Sequence, residues 1–142
     1  MAGLRFDGSA RCNIEIALRQ IETLYKQETE ALGLTIVEWY MLRTLYEKNP
    51  QMASRLAEAV GWAPTSFTPI LDKLQAKGFI ERRSHPADRR AMRIYLTEKG
   101  KSFETQIKDG AESIENNLHQ RFSNKEWQSF QQVIESLQLM TP

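Results

Sequence analysis

Between residues 13 and 32, Ile14, Ala17, Leu18, Ile21, Leu24 and Tyr25 recur at steps of three and four, which predicts an amphipathic helix with Gly33 as its stop. The next helix has the clearest start in the chain. Thr35 and Glu38 have the spacing of a capping box, and Leu34 and Trp39 that of a hydrophobic staple. Met41, Leu42 and Leu45 carry the apolar face on towards Lys48, and Asn49-Pro50 ends it. From residue 52 to 60, Met52, Leu56, Ala59 and Val60 predict a short helix broken at Gly61. Another helix opens with Pro64 at its first position, where a missing N–H costs nothing, and runs through Phe67, Ile70, Leu71 and Leu74 to Gly78.

Helix, glycine turn, helix is the helix-turn-helix pattern. Residues 79–83 and 91–96 then suit short strands, separated by Ser84, His85, Pro86, Ala87, Asp88, Arg89 and Arg90, which predicts a β-hairpin with a basic tip. A hairpin placed there makes a winged helix, in which one helix enters the major groove of DNA and the hairpin reaches the adjacent minor groove. Past the hairpin, Thr97 is placed to cap one long helix with a stripe of Phe103, Ile107, Ala111, Ile114 and Leu118. Ser123 and Glu126 form a second capping box, with Phe122 and Trp127 as its staple, and Phe130, Val133, Ile134 and Leu137 give the last helix its face. The fold class expected is mainly α with a small β-hairpin wing.

At 142 residues the length fits one domain, 1–142, with a core of useful size. No apolar run approaches the roughly 20 residues of a membrane span, and a signal-peptide pattern is missing, so a cytoplasmic protein is expected. The net charge of +1 argues against a nucleic-acid partner until its distribution is considered. Residues 73–101 hold nine Lys and Arg against three Asp and Glu, while the segments on either side are net acidic. That placement governs attraction to phosphates, and a merely solvated basic face is the alternative. Cys12 is the only cysteine, and His85 and His119 stand far apart without a ligand set, so neither metal nor cofactor is expected. With no Ser/His/Asp arrangement or glycine-rich phosphate loop, no enzymatic activity is expected either.

The strings LTIVEWYMLRTLYE, SRLAEAVGW, ILDKLQAKGFIERR and HPADRRAMRIYLTEKG resemble, in order and spacing, those of MarR-type transcriptional regulators. The resemblance is close over residues 34–101 and looser in the flanking helices. It implies a winged-helix DNA-binding lobe (34–100) and a helical dimerisation lobe built from the N- and C-terminal helices (9–33 and 101–140). A two-fold dimer reads half-sites about 10 bp apart and doubles the contacts of one short reading head. The function expected is that of a homodimeric, sequence-specific double-stranded DNA-binding regulator, a repressor relieved by a small aromatic or phenolic ligand. A redox regulator acting through Cys12 and a winged-helix module that binds protein are the alternatives. The second of these calls for an acidic or apolar wing, which Arg82, Arg83, Arg89, Arg90 and Arg93 contradict.

Candidate contacts follow from these placements. Pro64, Thr65, Ser66 and Thr68 open the reading helix, and the three hydroxyls can meet base edges or phosphates, although Thr65 has the alternative of capping the helix. Pro69 departs from the family, in which a polar residue is usual. Its missing N–H predicts a helix that bends or starts late. No Arg, Lys, Asn or Gln lies between Pro64 and Leu71, so direct base reading should be modest and more of the specificity left to the wing and to DNA shape. Asp88 and Arg90 match the family's Asp-x-Arg pattern, which implies Arg90 inserted into the minor groove of an A·T-rich operator with Asp88 as its support. An exposed ion pair with no further role is the alternative. Arg89, Arg83 and Arg82 are candidates for phosphate contacts, and Ser54 and Arg55 for backbone contacts from the preceding helix.

For an effector between dimer lobe and reading head, Ile21, Tyr25, Trp39 and Arg43 are candidate liners, Arg43 being able to meet a carboxylate; core and interface roles are the alternative. Cys12 near the start of the first helix, beside Arg11, is the candidate for oxidation, since hydroperoxide sensors of the family carry a reactive cysteine in roughly this region.

Overall fold

The computed structural model describes residues 3–142, apart from the side chains of Arg89 and Arg90. The elements are α1 (Ala10–Ala31), α2 (Ile36–Glu47), β1 (Gln51–Met52), α3 (Ala53–Ala59), α4 (Pro64–Ala76), β2 (Ile80–His85), β3 (Asp88–Leu96), α5 (Glu98–Ser102), α6 (Glu104–His119) and α7 (Asn124–Gln138). The fold is mainly helical with one small antiparallel sheet in the order β1-β3-β2. The chain divides into two compact units, Met1–Lys108 and Asp109–Pro142. No helix among the described residues is long and apolar enough to cross a membrane.

In the first unit, α2 forms where its capping box predicts. Thr35 Oγ1 accepts from the Glu38 N–H at 3.2 Å, and Glu38 Oε1 accepts from the Thr35 N–H at 2.8 Å. Trp39, Met41, Leu42 and Leu45 are fully buried, and α1 lies against this helix with Tyr25 edge-on to Tyr40 at 5.9 Å. Both helices of the helix-turn-helix end in the same motif, in which the last carbonyls are satisfied by N–H groups beyond a left-handed residue. Gly61 (φ 76°) donates to the Glu58 carbonyl and Trp62 to that of Ala57; Gly78 (φ 88°) donates to Gln75 and Phe79 to Leu74. Glycine takes such φ values at no steric cost, so these two residues set where the chain turns out of α3 and out of α4.

Four sequence expectations need correction. Met52 belongs to β1, pairing with Arg93, and α3 starts after it. A two-residue strand is too short to show a period, and Met52 happened to sit at helical spacing. Asp88, Arg89 and Arg90 belong to β3 and not to a loop, the turn being only Pro86 and Ala87. Past Ser84↔Met92 the register shifts to His85↔Asp88, so ladder pairing continues on an exposed hairpin with no apolar alternation to announce it. The helix after Thr97 is two helices, because Phe103 leaves the helical conformation (φ −96°, ψ 2°) with its ring 5.5 Å from that of Phe79. Finally, α4 does not start late on account of Pro69: it opens at Pro64, as a first-position proline predicts, and contains Pro69. The missing N–H deprives the carbonyl of Thr65, and Thr65 is exposed, where water can satisfy it.

The β3–α5 junction is fastened to its surroundings at several points. Thr97 Oγ1 donates to the Gly78 carbonyl at 2.5 Å and accepts from the Gly100 N–H at 3.1 Å, while Asn49 Oδ1 accepts from the Leu96 N–H at 3.0 Å. Tyr46 of α2 donates to the Gly100 carbonyl at 2.6 Å. Burial, and then the negative charge of Glu104, push the Tyr46 phenol up to about 12 from its ordinary 10.0. The unfolded chain releases that proton near its ordinary pKa while the folded chain holds it, so this phenol's contribution is complete below pH 10 and is lost as pH rises towards about 12. An ultraviolet titration should show a tyrosine phase displaced upward by about two pH units, and Tyr46→Phe should remove it.

The second unit contains most of α6 and all of α7. Its capping box also forms, with Ser123 Oγ accepting from the Glu126 N–H at 3.1 Å and Glu126 Oε1 accepting from the Ser123 N–H at 2.9 Å. Hydrogen bonds to the carboxylate from the Ser123 N–H first, and then from the Ser123 side chain, hold the Glu126 carboxyl below the usual range. Trp127 stacks near Phe122, as the staple spacing requires, and has the His119 ring at 4.0 Å and Phe130 at 5.2 Å. Phe130, Val133 and Leu137 remain exposed along α7.

Candidate nucleic-acid interface

Helix α4 divides its residues by face. Phe67, Leu71 and Leu74 are buried, which turns Thr65, Ser66, Thr68 and Pro69 to solvent. Its N-cap is Ala63, which has no side chain able to accept a hydrogen bond, and Pro64 stands at N1. Thr65 therefore does not cap the helix. Among the described residues, none of the three hydroxyls bonds another group of the chain, so all are available to an outside partner. Ser54 and Arg55, in the first turn of α3, are exposed as well. The structure brings Ser54, Pro64 and Thr68 together around an open groove of about 230 Å³ that Ala91 and Met92 of β3 also line. The start of each helix and part of the wing's strand β3 thus share one surface.

The wing arginines differ in what holds them. Arg83 lies outward, its guanidinium 3.1 Å from Glu81 and 4.4 Å above the ring of Tyr95. The hydrogen bond and charge of Arg83 hold the Glu81 carboxyl below its usual range. Both groups are solvated, so the pair presents the cation without burying it. Arg93 Nη2 lies 2.7 Å from His85 Nε2. Arg82 lies inward, bonded to Asp72 and Gln75 of α4. Asp88 opens β3 at the tip, and the side chains of Arg89 and Arg90, including the expected Asp88–Arg90 support, lie outside the described residues.

The expected effector liners lie at different depths. Trp39 is fully buried and Tyr25 nearly so, which makes both core side chains; Ile21 is half-buried on α1. Arg43 lines an open pocket of about 440 Å³ with Tyr40, Thr44 and Glu47 of α2 and Ala59 and Val60 at the end of α3. Cys12 lies within the first turn of α1, half-buried, where its N–H is already donated to Ser9 Oγ at 3.1 Å. Arg11, the neighbour expected to favour a thiolate, is turned to Glu15 at 2.8 Å.

Sequence reading missed Asp72 and Gln75, which sit on the polar face of α4 like any solvated pair. It also passed over Trp62, 43% exposed in the turn between the two helices.

Residues 34–92 match the model of the MarR family. The match is to that family's model and is confined to this segment. It runs from the staple residue Leu34 through both helices of the helix-turn-helix and most of the wing. Solved structures similar to the whole chain share its fold. BpsR of Bordetella bronchiseptica, described in terms of the regulation of its DNA binding by 6-hydroxynicotinic acid, is 16% identical with a TM-score of 0.85, covering 99% of this chain and 100% of that chain. NadR in complex with 4-hydroxyphenylacetate is 18% identical with a TM-score of 0.74 and the same coverage. Overoxidised AbfR bound to DNA is 21% identical with a TM-score of 0.73, covering 88% of this chain and 87% of that one. At such identities the likeness is one of fold. Within it, the matched segment carries the hydroxyl-bearing helix start and most of the arginine-rich hairpin.

Proposed function

We propose that this protein is a homodimeric, sequence-specific transcriptional regulator of double-stranded DNA, a repressor relieved by a small aromatic acid. The observation that carries the reading is the uncapped, hydroxyl-bearing start of α4 beside the hairpin where the chain's positive charge is concentrated. Thr65, Ser66 and Thr68 seat the helix in the major groove, their hydroxyls meeting base edges or phosphates. The Arg90 guanidinium enters the adjacent minor groove, where narrow A·T-rich tracts concentrate negative potential, with Asp88 supporting it. Arg83, Arg89, Ser54 and Arg55 contact the sugar-phosphate backbone. AbfR, solved on DNA, shares the fold that presents these elements.

Exposed apolar side chains support the dimer. Ile14 and Leu18 on α1, and Phe130, Val133 and Leu137 on α7, leave stripes open to water that a second copy covers. The effector enters beside Arg43, whose guanidinium meets its carboxylate in the pocket with Tyr40 and Thr44. The molecules that BpsR and NadR are described with are both hydroxylated aromatic acids, which fits that chemistry. Such a ligand lowers DNA affinity only by binding the DNA-incompetent state more tightly.

Fluorescence anisotropy at several salt concentrations tests the assignment of roles. Arg90→Ala should weaken binding by about ten-fold or more, and more so on A·T-flanked sites, in keeping with loss of a charge-assisted contact. Arg83→Ala should weaken all sequences alike and lower the salt slope by about one. Equal affinity of wild type and Arg90→Ala at physiological salt would remove the wing tip from the mechanism.

A further inference from the structure

We propose that Arg82 is a positioning residue that locks the wing to the reading helix, and not a phosphate contact; this rests on the DNA-binding reading above. Its Nη1 lies 2.6 Å from Asp72 Oδ1, its Nε donates to Gln75 Oε1 at 2.9 Å, and its backbone N–H donates to the same oxygen at 3.2 Å. Asp72 and Gln75 are one turn apart on α4, so two acceptors on one helix face hold the backbone and the head of a single β2 residue. The bonded side chain is 23% exposed, against 56% for its outward neighbour Arg83. A planar guanidinium held at Nε and one Nη is fixed in orientation as well as position, which an ammonium would not be.

The consequence concerns geometry at the DNA. The helix and the hairpin must reach two different grooves at once, and the clamp sets the distance between them before DNA arrives. Without it the wing must be ordered on binding, and that ordering opposes association. Simple electrostatics and the clamp predict opposite signs at Asp72. Removing a carboxylate close to phosphates should strengthen binding if charge alone matters. It should weaken binding if Asp72 holds Arg82.

The test is duplex binding by anisotropy over a salt series for wild type, Arg82→Ala, Asp72→Ala, Gln75→Ala and the Asp72→Ala/Arg82→Ala double variant, at a temperature where circular dichroism shows each to be folded. Each single variant should lose roughly five- to ten-fold in affinity, the size of a coupling between contacting residues, with the wild-type salt slope retained. The double variant should be no weaker than Arg82→Ala. If Arg82→Ala does not fold, Gln75→Ala, which leaves the ion pair in place, must still weaken binding at unchanged slope. A slope lowered by about one in Arg82→Ala, with tighter binding by Asp72→Ala, would overturn the clamp in favour of a direct phosphate contact and leave the DNA-binding reading standing. Failure of the wild type itself to bind duplex DNA would overturn both.

Discussion

Replacing Glu38 with alanine should lower stability by about 2–4 kcal/mol, most of it from groups left behind without partners. Glu38 is 1% exposed, and its Oε1 accepts both from the Thr35 N–H that opens α2 and from Lys77 Nζ at the end of α4. Truncation leaves that N–H unpaired and strips the counter-charge from an ammonium that is 35% exposed. The partial exposure of Lys77 keeps the expected loss below that of a fully buried pair. So does the second carboxylate oxygen, which is buried without a hydrogen-bond partner among the described residues. Glu38→Gln should lose less, because an amide oxygen still accepts from the Thr35 N–H. Urea unfolding at neutral pH measures both. A Glu38→Ala midpoint within error of wild type would mean that the contact tying α2 to α4 contributes nothing.

Gly100→Ala should be nearly as damaging, at about 3 kcal/mol, the upper end for overpacking, because the obstacle is backbone. A Cβ on Gly100 would lie 2.2 Å from the Phe79 carbonyl oxygen and 3.2 Å from Leu96 Cδ2. That carbonyl also accepts from the Thr97 N–H at 3.1 Å, so it cannot retreat without breaking a bond. The Gly100 N–H and C=O are themselves engaged by Thr97 and Tyr46. Moving this residue therefore disturbs the base of the wing, the start of α5 and the end of α2 together. Thermal melting should show a clear fall, and an unchanged melting temperature would show that the close approach is not a feature of the folded protein.

What the sequence disclosed, and what it withheld, follows from how local each feature is. The capping boxes at Thr35/Glu38 and Ser123/Glu126 and the turns at Gly61 and Gly78 are decided within a few residues, so spacing alone located them. The hydroxyl face of α4 was legible because Phe67, Leu71 and Leu74 leave it only one way to point. β1 was not legible, since two residues carry no period and its partner Arg93 lies some forty positions on. The inward course of Arg82 was hidden for the same reason: Asp72 and Gln75 recruit it across a turn, and nothing in a run of arginines says which one faces the protein. The break at Phe103 depends on packing against Phe79, which the apolar stripe through Ile107 could not reveal.

We propose that the arginine-rich hairpin and the adjoining helix start together hold duplex DNA. The most direct measurement is a titration of a fluorescent duplex, selected from a random pool, with the purified wild-type protein from low to physiological salt. Affinity should fall steeply and linearly on logarithmic axes as phosphate counterions are displaced, and the selected sequence should be two-fold symmetric and A·T-rich. A protein that leaves duplex DNA unbound even at the lowest salt would contradict the claim.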